Sequence, residues 1–474
     1  MLKFPIFIIL ASVAGVSAQS GRIGPTASPT QTATVAAASD RSVKELFDEA
    51  NNYTKTKYTE YADKKTPYSD SLRERTQREQ KQLAAKNAAI AAVRTGLTGE
   101  DHYYLGLLHW SAENLDGAAG SFRKYIGGES SSADKVQTAR SLLIVILAKQ
   151  NKRSDAESFL AEYLKADPKK LTERLRMSTE LAKSYLAAGE FAAAAPHAEE
   201  AFKSAKVLLK DASSRARAID ELLDTGMLVF EAYSGNGDEK RSDAALDDMS
   251  AAAVEAESPS FYYYAVDKKI TYMIETGRKP AALELYLATL AGVSKQFAAV
   301  TQQKDVISRL KKRETQYKLL REPAPELPVF DAWFPGKPRT MAELKGKVVL
   351  IDFWATWCGP CFEAFPVIKE WYADHARDGF EILGVTRYYG AQIGFDKNVP
   401  GELAMLREFR LEQALPYDIL VARDQLLQMS YGAYALPTAV LIDRKGIIRY
   451  IGTGTSPTRL DEMQAMILKL LAEK

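Results

Sequence analysis

The chain has 474 residues, 46% of them apolar and 26% charged, and a net charge of +2. At about 150 residues per domain, that length implies two or three units. The balance excludes a mostly disordered chain, a collagen-like one and a polytopic membrane protein, and the near-neutral charge offers no basic field for nucleic acid.

Lys3 precedes an apolar run from Phe4 to Val16 that closes on Val16-Ser17-Ala18. A run of this length falls short of the ~20 residues that span a bilayer. A charged start, a short apolar stretch and a small-residue exit describe a secretory signal peptide over residues 1–18, with an uncleaved anchor as the alternative. Residues 19–39 are rich in Ser, Thr, Ala, Pro and Gly without periodicity, which predicts a flexible low-complexity linker. Export to the periplasm or cell envelope follows from the signal.

Residues 40–320 are rich in Ala, Leu, Glu and Lys, with apolar side chains at three and four spacing, as in Leu142, Leu143, Ile146 and Leu147. That period predicts successive amphipathic helices. Ala118, Ala156 and Ala194 recur at 38-residue intervals, each after an apolar helix. Small residues there let the two helices of a hairpin approach closely. The pattern resembles the tetratricopeptide (TPR) repeat, although the usual period is 34. A weaker frame runs through Ile270, Met273, Gly277 and Ala282, and no register holds between Ser204 and Phe261. The aromatic run Phe261 to Tyr264 reads as core, and the charged stretch Arg73 to Lys81 as a solvated face. His102, His109 and His197 are scattered and lack the spacing of metal ligands, so no metal site is expected.

Three prolines within 321–328 predict a stiff linker. The pattern then changes. Lys347–Phe353 reads as a buried strand, Pro360–Asp374 as a helix, Glu381–Val385 as a strand and Glu402–Glu412 as a helix. Thr438–Ile442 and Ile447–Ile451 flank Arg444-Lys445-Gly446 as a hairpin, and Thr458–Leu471 closes as a helix. Residues 329–474 are therefore an α/β domain with a mixed central sheet flanked by helices, and the whole chain is multidomain, all-α and then α/β.

Cys358 and Cys361 are the only two cysteines. So small a loop constrains almost nothing in the unfolded chain, so the pair is a poor staple and its value is chemical. It stands where a strand gives way to a helix. Unpaired N–H groups and the helix dipole there stabilise a thiolate, so Cys358 is the accessible nucleophile on the first turn. Cys361, one turn on, resolves the mixed disulfide. Pro360 fits a first turn, which has N–H groups to spare. Two cysteines do not make a structural zinc site, and Phe362 after Cys361 removes the haem-attachment motif. No cofactor beyond the redox-active pair is expected.

The run from Asp352 to Cys361, Asp-Phe-Trp-Ala-Thr-Trp-Cys-Gly-Pro-Cys, resembles the active-site segment of the thioredoxin family, and Leu436-Pro437-Thr438 resembles its cis-proline loop. Ala324-Pro325-Glu326-Leu327 and Leu344–Val349 resemble the start of TlpA/ResA-like exported members. The likeness covers residues 324–474. It implies a thioredoxin fold and a disulfide oxidoreductase, with Asp352 as the buried acid that exchanges a proton with Cys361 and Pro437 as the cis-proline beside which a substrate strand docks. Trp357 is expected to shield the pair. Gly359, Pro360, Leu436 and Thr438 complete the expected substrate contacts. One departure stands out: those relatives commonly carry Glu three residues after the second cysteine, where this chain has Ala364, and Glu363 is rotated about 100° from that place. The segment 386–401, with Arg387, Tyr388 and Tyr389, is either a substrate-facing lip or an ordinary surface loop.

The resemblance implies client proteins with cysteines or disulfides, an upstream redox partner that supplies electrons, and protein partners on the TPR-like surface. The Gly-Pro pair favours a reductant. Two other readings remain open: a scaffold carrying a redox-sensing domain, and a peroxiredoxin-like peroxidase. The peroxidase reading wants Thr where Ala355 stands.

Overall fold

The computed structural model describes residues 41–473, apart from 129–131, 212–214, 391–393 and 395–398, and backbone alone at 215–218 and 458. The expected signal peptide and the linker over 19–39 lie outside the described residues. Among the described residues, no helix is long and apolar enough to cross a membrane. The chain divides into two compact units, up to Lys169 and from Lys170 onward.

The first unit is built of helical hairpins: α1 (Val43–Asp63) with α2 (Asp70–Ala92), α3 (Gly99–Ser111) with α4 (Leu115–Gly127), and α5 (Ala133–Lys149) with α6 (Arg153–Lys165). Five of its six helices start on a side-chain cap, Ser42 and Thr98 closing full capping boxes, while α6 has none. Gly106 explains one close approach, since a Cβ there would lie 2.5 Å from the Phe122 ring.

The second unit opens with more hairpins: α7 (Leu171–Ala187) with α8 (Phe191–Leu208), α9 (Arg215–Gly235) with α10 (Glu239–Glu255), and α11 (Pro259–Glu275) with α12 (Lys279–Gln296). A further helix, α13 (Val300–Leu319), follows. The repeat is visible in the local geometry. The fourth residue of each second helix from α4 to α12 is small and fully buried: Ala118, Ala156, Ala194, Ser242 and Ala282. Two residues before each of those helices the backbone is left-handed, at Glu113, Asn151, Gly189, Gly237 and Gly277. The register that failed after Ser204 was lost for two reasons. Ser242 stands in for alanine, and the interval from 194 to 242 is 48 residues because α9 and α10 sit further along the chain.

A six-stranded mixed sheet follows, in the order β1-β4-β3-β2-β5-β6. Strands β2 (Val348–Phe353), β3 (Phe380–Arg387) and β4 (Asp418–Ala422) run parallel. Strands β5 (Thr438–Ile442), β6 (Ile448–Thr453) and β1 (Ala332–Phe334) pair antiparallel. Helices α14 (Gly359–His375), α15 (Val399–Glu412), α16 (Leu426–Ser430) and α17 (Pro457–Ala472) complete the fold. The expected strands and helices are present, with ends moved by a few residues; β1, β4 and α16 were not anticipated.

Every residue of β2 is buried, so the sheet must be covered on both faces. Val348, Leu350 and Trp354 face a cluster with Phe365 and Ile368 of α14 and Ile467 of α17. Val349, Ile351 and Phe353 face the other way, into a core that also holds Leu427 of α16 and Tyr317 of α13 and continues through the hairpins to Leu175. The five-residue α16 is too short to cover that face by itself, and the end of the helical region completes the cover. The Pro-rich segment 321–328 is accordingly no free spacer. Arg321 N–H donates to Ile448 O at 2.8 Å, Ile448 N–H to Glu322 O at 2.9 Å and Ala324 N–H to Gly446 O at 2.9 Å, which stitches the segment to the β5–β6 hairpin.

Candidate active site

The end of β2 delivers the site. Pairing continues one residue past the strand, where Trp354 N–H donates to Val385 O at 3.0 Å. The chain then turns, with Cys358 N–H on Ala355 O, and α14 begins at Gly359, one residue earlier than expected. Cys358 is therefore the N-cap of a 17-residue helix, a residue nearer the positive end of the dipole than the first turn. Cys361 lies inside that first turn. The two are joined as a disulfide with Cα atoms 5.3 Å apart.

Cys358 was expected to stay accessible. In the oxidised protein it is 4% exposed and Cys361 1%. The bond draws its sulfur onto Cys361, and both join the apolar cluster of Trp354, Phe365 and Tyr389. Trp357 is 53% exposed and meets the Tyr389 ring edge-on, with centroids 5.4 Å apart. Gly359 and Pro360 are exposed beside it.

Asp352 is fully buried on β2. Side chains alternate along a strand, so it shares the face of Leu350 and Trp354, the face on which α14 carries Cys361. Its carboxyl forms no hydrogen bond among the described residues, and burial pushes it up to about 7. Gly384 pairs with Asp352 across β2 and β3. A Cβ on Gly384 would lie 3.1 Å from Trp354 Nε1 and 3.2 Å from the Tyr417 ring, so the missing side chain makes room for both. Trp354 Nε1 and Tyr417 Oη are buried without hydrogen-bond partners among the described residues. Burial, then the Asp352 charge, holds the Tyr417 phenol well above its ordinary value.

Leu436–Pro437 is a cis peptide. Thr438 pairs with Phe353 in the β2–β5 ladder, so Pro437 sits beside the start of the 354–358 turn. The Leu436 backbone N–H and C=O make no hydrogen bond among the described residues, and its side chain is half-buried. The Thr438 side chain does not reach the surface. It is fully buried and donates to Ala435 O at 2.7 Å, with Thr453 Oγ1 at 3.0 Å, so any contact it offers a substrate is through backbone. Glu363 is exposed and Ala364 buried, as their helical phases require.

Glu402 and the α13 residues Thr315 and Gln316 were not legible as site residues. Glu402, 1% exposed, accepts from Tyr389 N–H at 2.6 Å and Gly390 N–H at 3.0 Å and so fixes the end of the β3 segment. The Arg387 guanidinium lies over the Tyr389 ring at 4.3 Å, and Trp357 meets that ring edge-on, so the three form a continuous row of contacts. The remainder of 386–401 is described only in part. On the far side, Gln316 of α13 donates to Gly432 O at 2.7 Å, and Thr315 Oγ1 lies 2.9 Å from Tyr434 Oη. Among the described residues, no group of three or more His, Cys, Asp or Glu side chains has the arrangement of a metal site.

Residues 322–467 match the Redoxin family model. The C-terminal third of the chain is matched as a redoxin domain. It is 32% identical over 120 residues to the thiol-disulfide oxidoreductase ResA of Geobacillus thermodenitrificans, covering 25% of this chain and 62% of that protein. Protein DipZ of Mycobacterium bovis is 32% identical over 142 residues, which cover 29% of this chain and 19% of DipZ. This chain therefore spans less than two thirds of those relatives. A thiol:disulfide interchange protein of the thioredoxin family from Chlorobium tepidum, a solved structure, is 22% identical. That likeness covers 32% of this chain and 96% of the other, with a TM-score of 0.26. The redoxin domain contains both cysteines, Asp352 and Pro437.

Proposed function

We propose that the protein is an exported thiol-disulfide oxidoreductase that reduces disulfides of client proteins in the cell envelope. One observation carries the reading: a disulfide capping a helix N-terminus, with a buried carboxyl that titrates near neutrality on the same face of the sheet. In the reduced protein, the Cys358 thiolate attacks one sulfur of the client disulfide. A mixed disulfide forms and the client's other sulfur leaves as a thiolate. Cys361 then gives its proton to Asp352 and attacks Cys358 Sγ, which releases the second client thiol and restores the Cys358–Cys361 bond. Two electrons pass to the client, and a dithiol protein upstream returns them. A carboxyl at its ordinary value near 3.8 would be a weak proton acceptor for a thiol; one near 7 is better matched.

The backbone of Leu436 offers a donor and an acceptor to an extended client segment, as in strand addition. Trp357, Gly359 and Pro360 supply the exposed surface around the cysteines. The helical hairpins within each unit offer surface for protein partners. Cys361→Ser tests the reading. The reduced variant, mixed with envelope extract, accumulates disulfide-linked adducts that dithiothreitol releases, and Cys358→Ser forms none. Adducts on Cys358→Ser equal to those on Cys361→Ser would overturn the assignment of the attacking sulfur.

A further inference from the structure

Helix α13 holds the loop that precedes Pro437. Beyond the bonds from Gln316 and Thr315, the fit is close enough that a Cβ on Gly432 would lie 2.9 Å from Gln316 Cγ. The helix is itself anchored. Arg313, 7% exposed, donates to Asp267 at 2.9 Å and to Ile451 O of β6 at 2.9 Å, while the Tyr317 hydroxyl donates to Asp267 at 2.6 Å. Burial pushes the Asp267 carboxyl up, and the Arg313 and Arg459 charges outweigh it, leaving it below the ordinary value. The rigid cover on this side of the loop therefore comes from the helical region and not from the redoxin domain.

The outward face of α13 is basic. Val306, Leu310, Arg313 and Tyr317 turn inward. Lys304, Ser308, Lys311 and Lys312 are exposed, and they follow the three and four spacing that leads to Thr315. Among the described residues, no carboxylate lies within ion-pair distance of Lys304, Lys311 or Lys312. The nearby acids on the helix are engaged elsewhere: Asp305 with Arg309, and Glu314 with Lys318 and the Tyr286 hydroxyl. Lys311 and Lys312 stand one turn, about 5 Å, before the residue that bonds Tyr434. Tyr434 is 52% exposed and two residues from Leu436.

We propose that the client-docking surface runs from Leu436 and Tyr434 onto the lysine face of α13, and that it selects client segments with acidic residues beside the reacting cysteine. This inference rests on the oxidoreductase reading above. A strand docked against Leu436 advances about 3.3 Å per residue, so residues flanking the client cysteine, and not the cysteine itself, meet Lys311 and Lys312. The charges steer encounter more than they hold the complex, so the effect falls on the association step and fades with salt.

The test uses the full chain, reduced beforehand, in single-turnover reactions. The probes are two synthetic peptides with the same internal disulfide, one flanked by Glu and one by Lys, and hydroxyethyl disulfide, which is small and neutral. The expected second-order rate constant is about tenfold higher for the Glu peptide at low salt. That ratio falls to one or inverts in the double variant Lys311→Glu with Lys312→Glu. Equal rates for the two peptides alongside reduction of hydroxyethyl disulfide would overturn the docking surface alone, as would a ratio that the double variant leaves untouched. Failure to reduce hydroxyethyl disulfide would bring down the oxidoreductase reading with it.

Discussion

Asp352→Asn in the oxidised protein separates a buried proton carrier from a carboxylate that is merely tolerated. Asp352 titrates near 7 in the folded protein against 3.8 unfolded, with burial as the cause. At 1.36 kcal/mol per pH unit, that displacement is worth about 4 kcal/mol as an upper figure. The folded pKa is raised, so below about pH 3.8 both states hold the proton and nothing is lost. Between there and pH 7 the unfolded chain ionises first, folding takes up a proton, and stability falls as pH rises. Above pH 7 the penalty is complete. Denaturant titrations at a series of pH values measure this directly through tryptophan fluorescence, since four of the five tryptophans, Trp333, Trp354, Trp357 and Trp371, lie in the redoxin domain. The difference between variant and wild type should grow by about 3–4 kcal/mol from pH 4 to pH 8, in favour of the variant. The change with pH isolates the titration from any constant cost of burying an amide. A difference that stays flat across that range would refute the argument that Asp352 is desolvated and unpartnered.

Two further substitutions probe how the site is held. Asp267→Ala leaves Arg313 buried without its carboxylate and should cost about 3–5 kcal/mol in the second unit, read as a lower denaturation midpoint. Gly432→Ala forces a side chain into a left-handed backbone (φ +64°) against Gln316 and should cost roughly 1–2 kcal/mol, read in the same titration. A neutral Gly432→Ala would mean that α13 does not press on the loop.

Some of this architecture was legible in the sequence because it repeats or alternates. The buried run Val348–Phe353, the cysteine pair at the next helix and the hairpin at Arg444-Lys445-Gly446 each follow from local pattern. Strand β4 was missed because Asp418-Ile-Leu-Val-Ala is too short to tell from a helix segment by period. Strand β1, of three residues, exists by pairing with β4 and has no signal of its own. The roles of Glu402 and Gln316 depend on partners 12 and 116 residues distant, which no local spacing encodes. Thr438 misled for a related reason: its motif marks the loop correctly, but pairing in β5 turns the side chain inward. The stiffness expected of 321–328 came from its prolines, while its attachment to β6 is tertiary.

The central claim is that Cys358 and Cys361 form an exchanging dithiol that donates electrons. Its most direct test is the reduction potential of the pair in the full chain, equilibrated in defined dithiol buffers and read by alkylation shift. The account predicts a value of about −250 mV or lower, near that of thioredoxin at about −270 mV. A value near about −120 mV would mark an oxidant and contradict the direction of electron flow, and a pair that never equilibrates with the buffer would contradict the exchange chemistry itself.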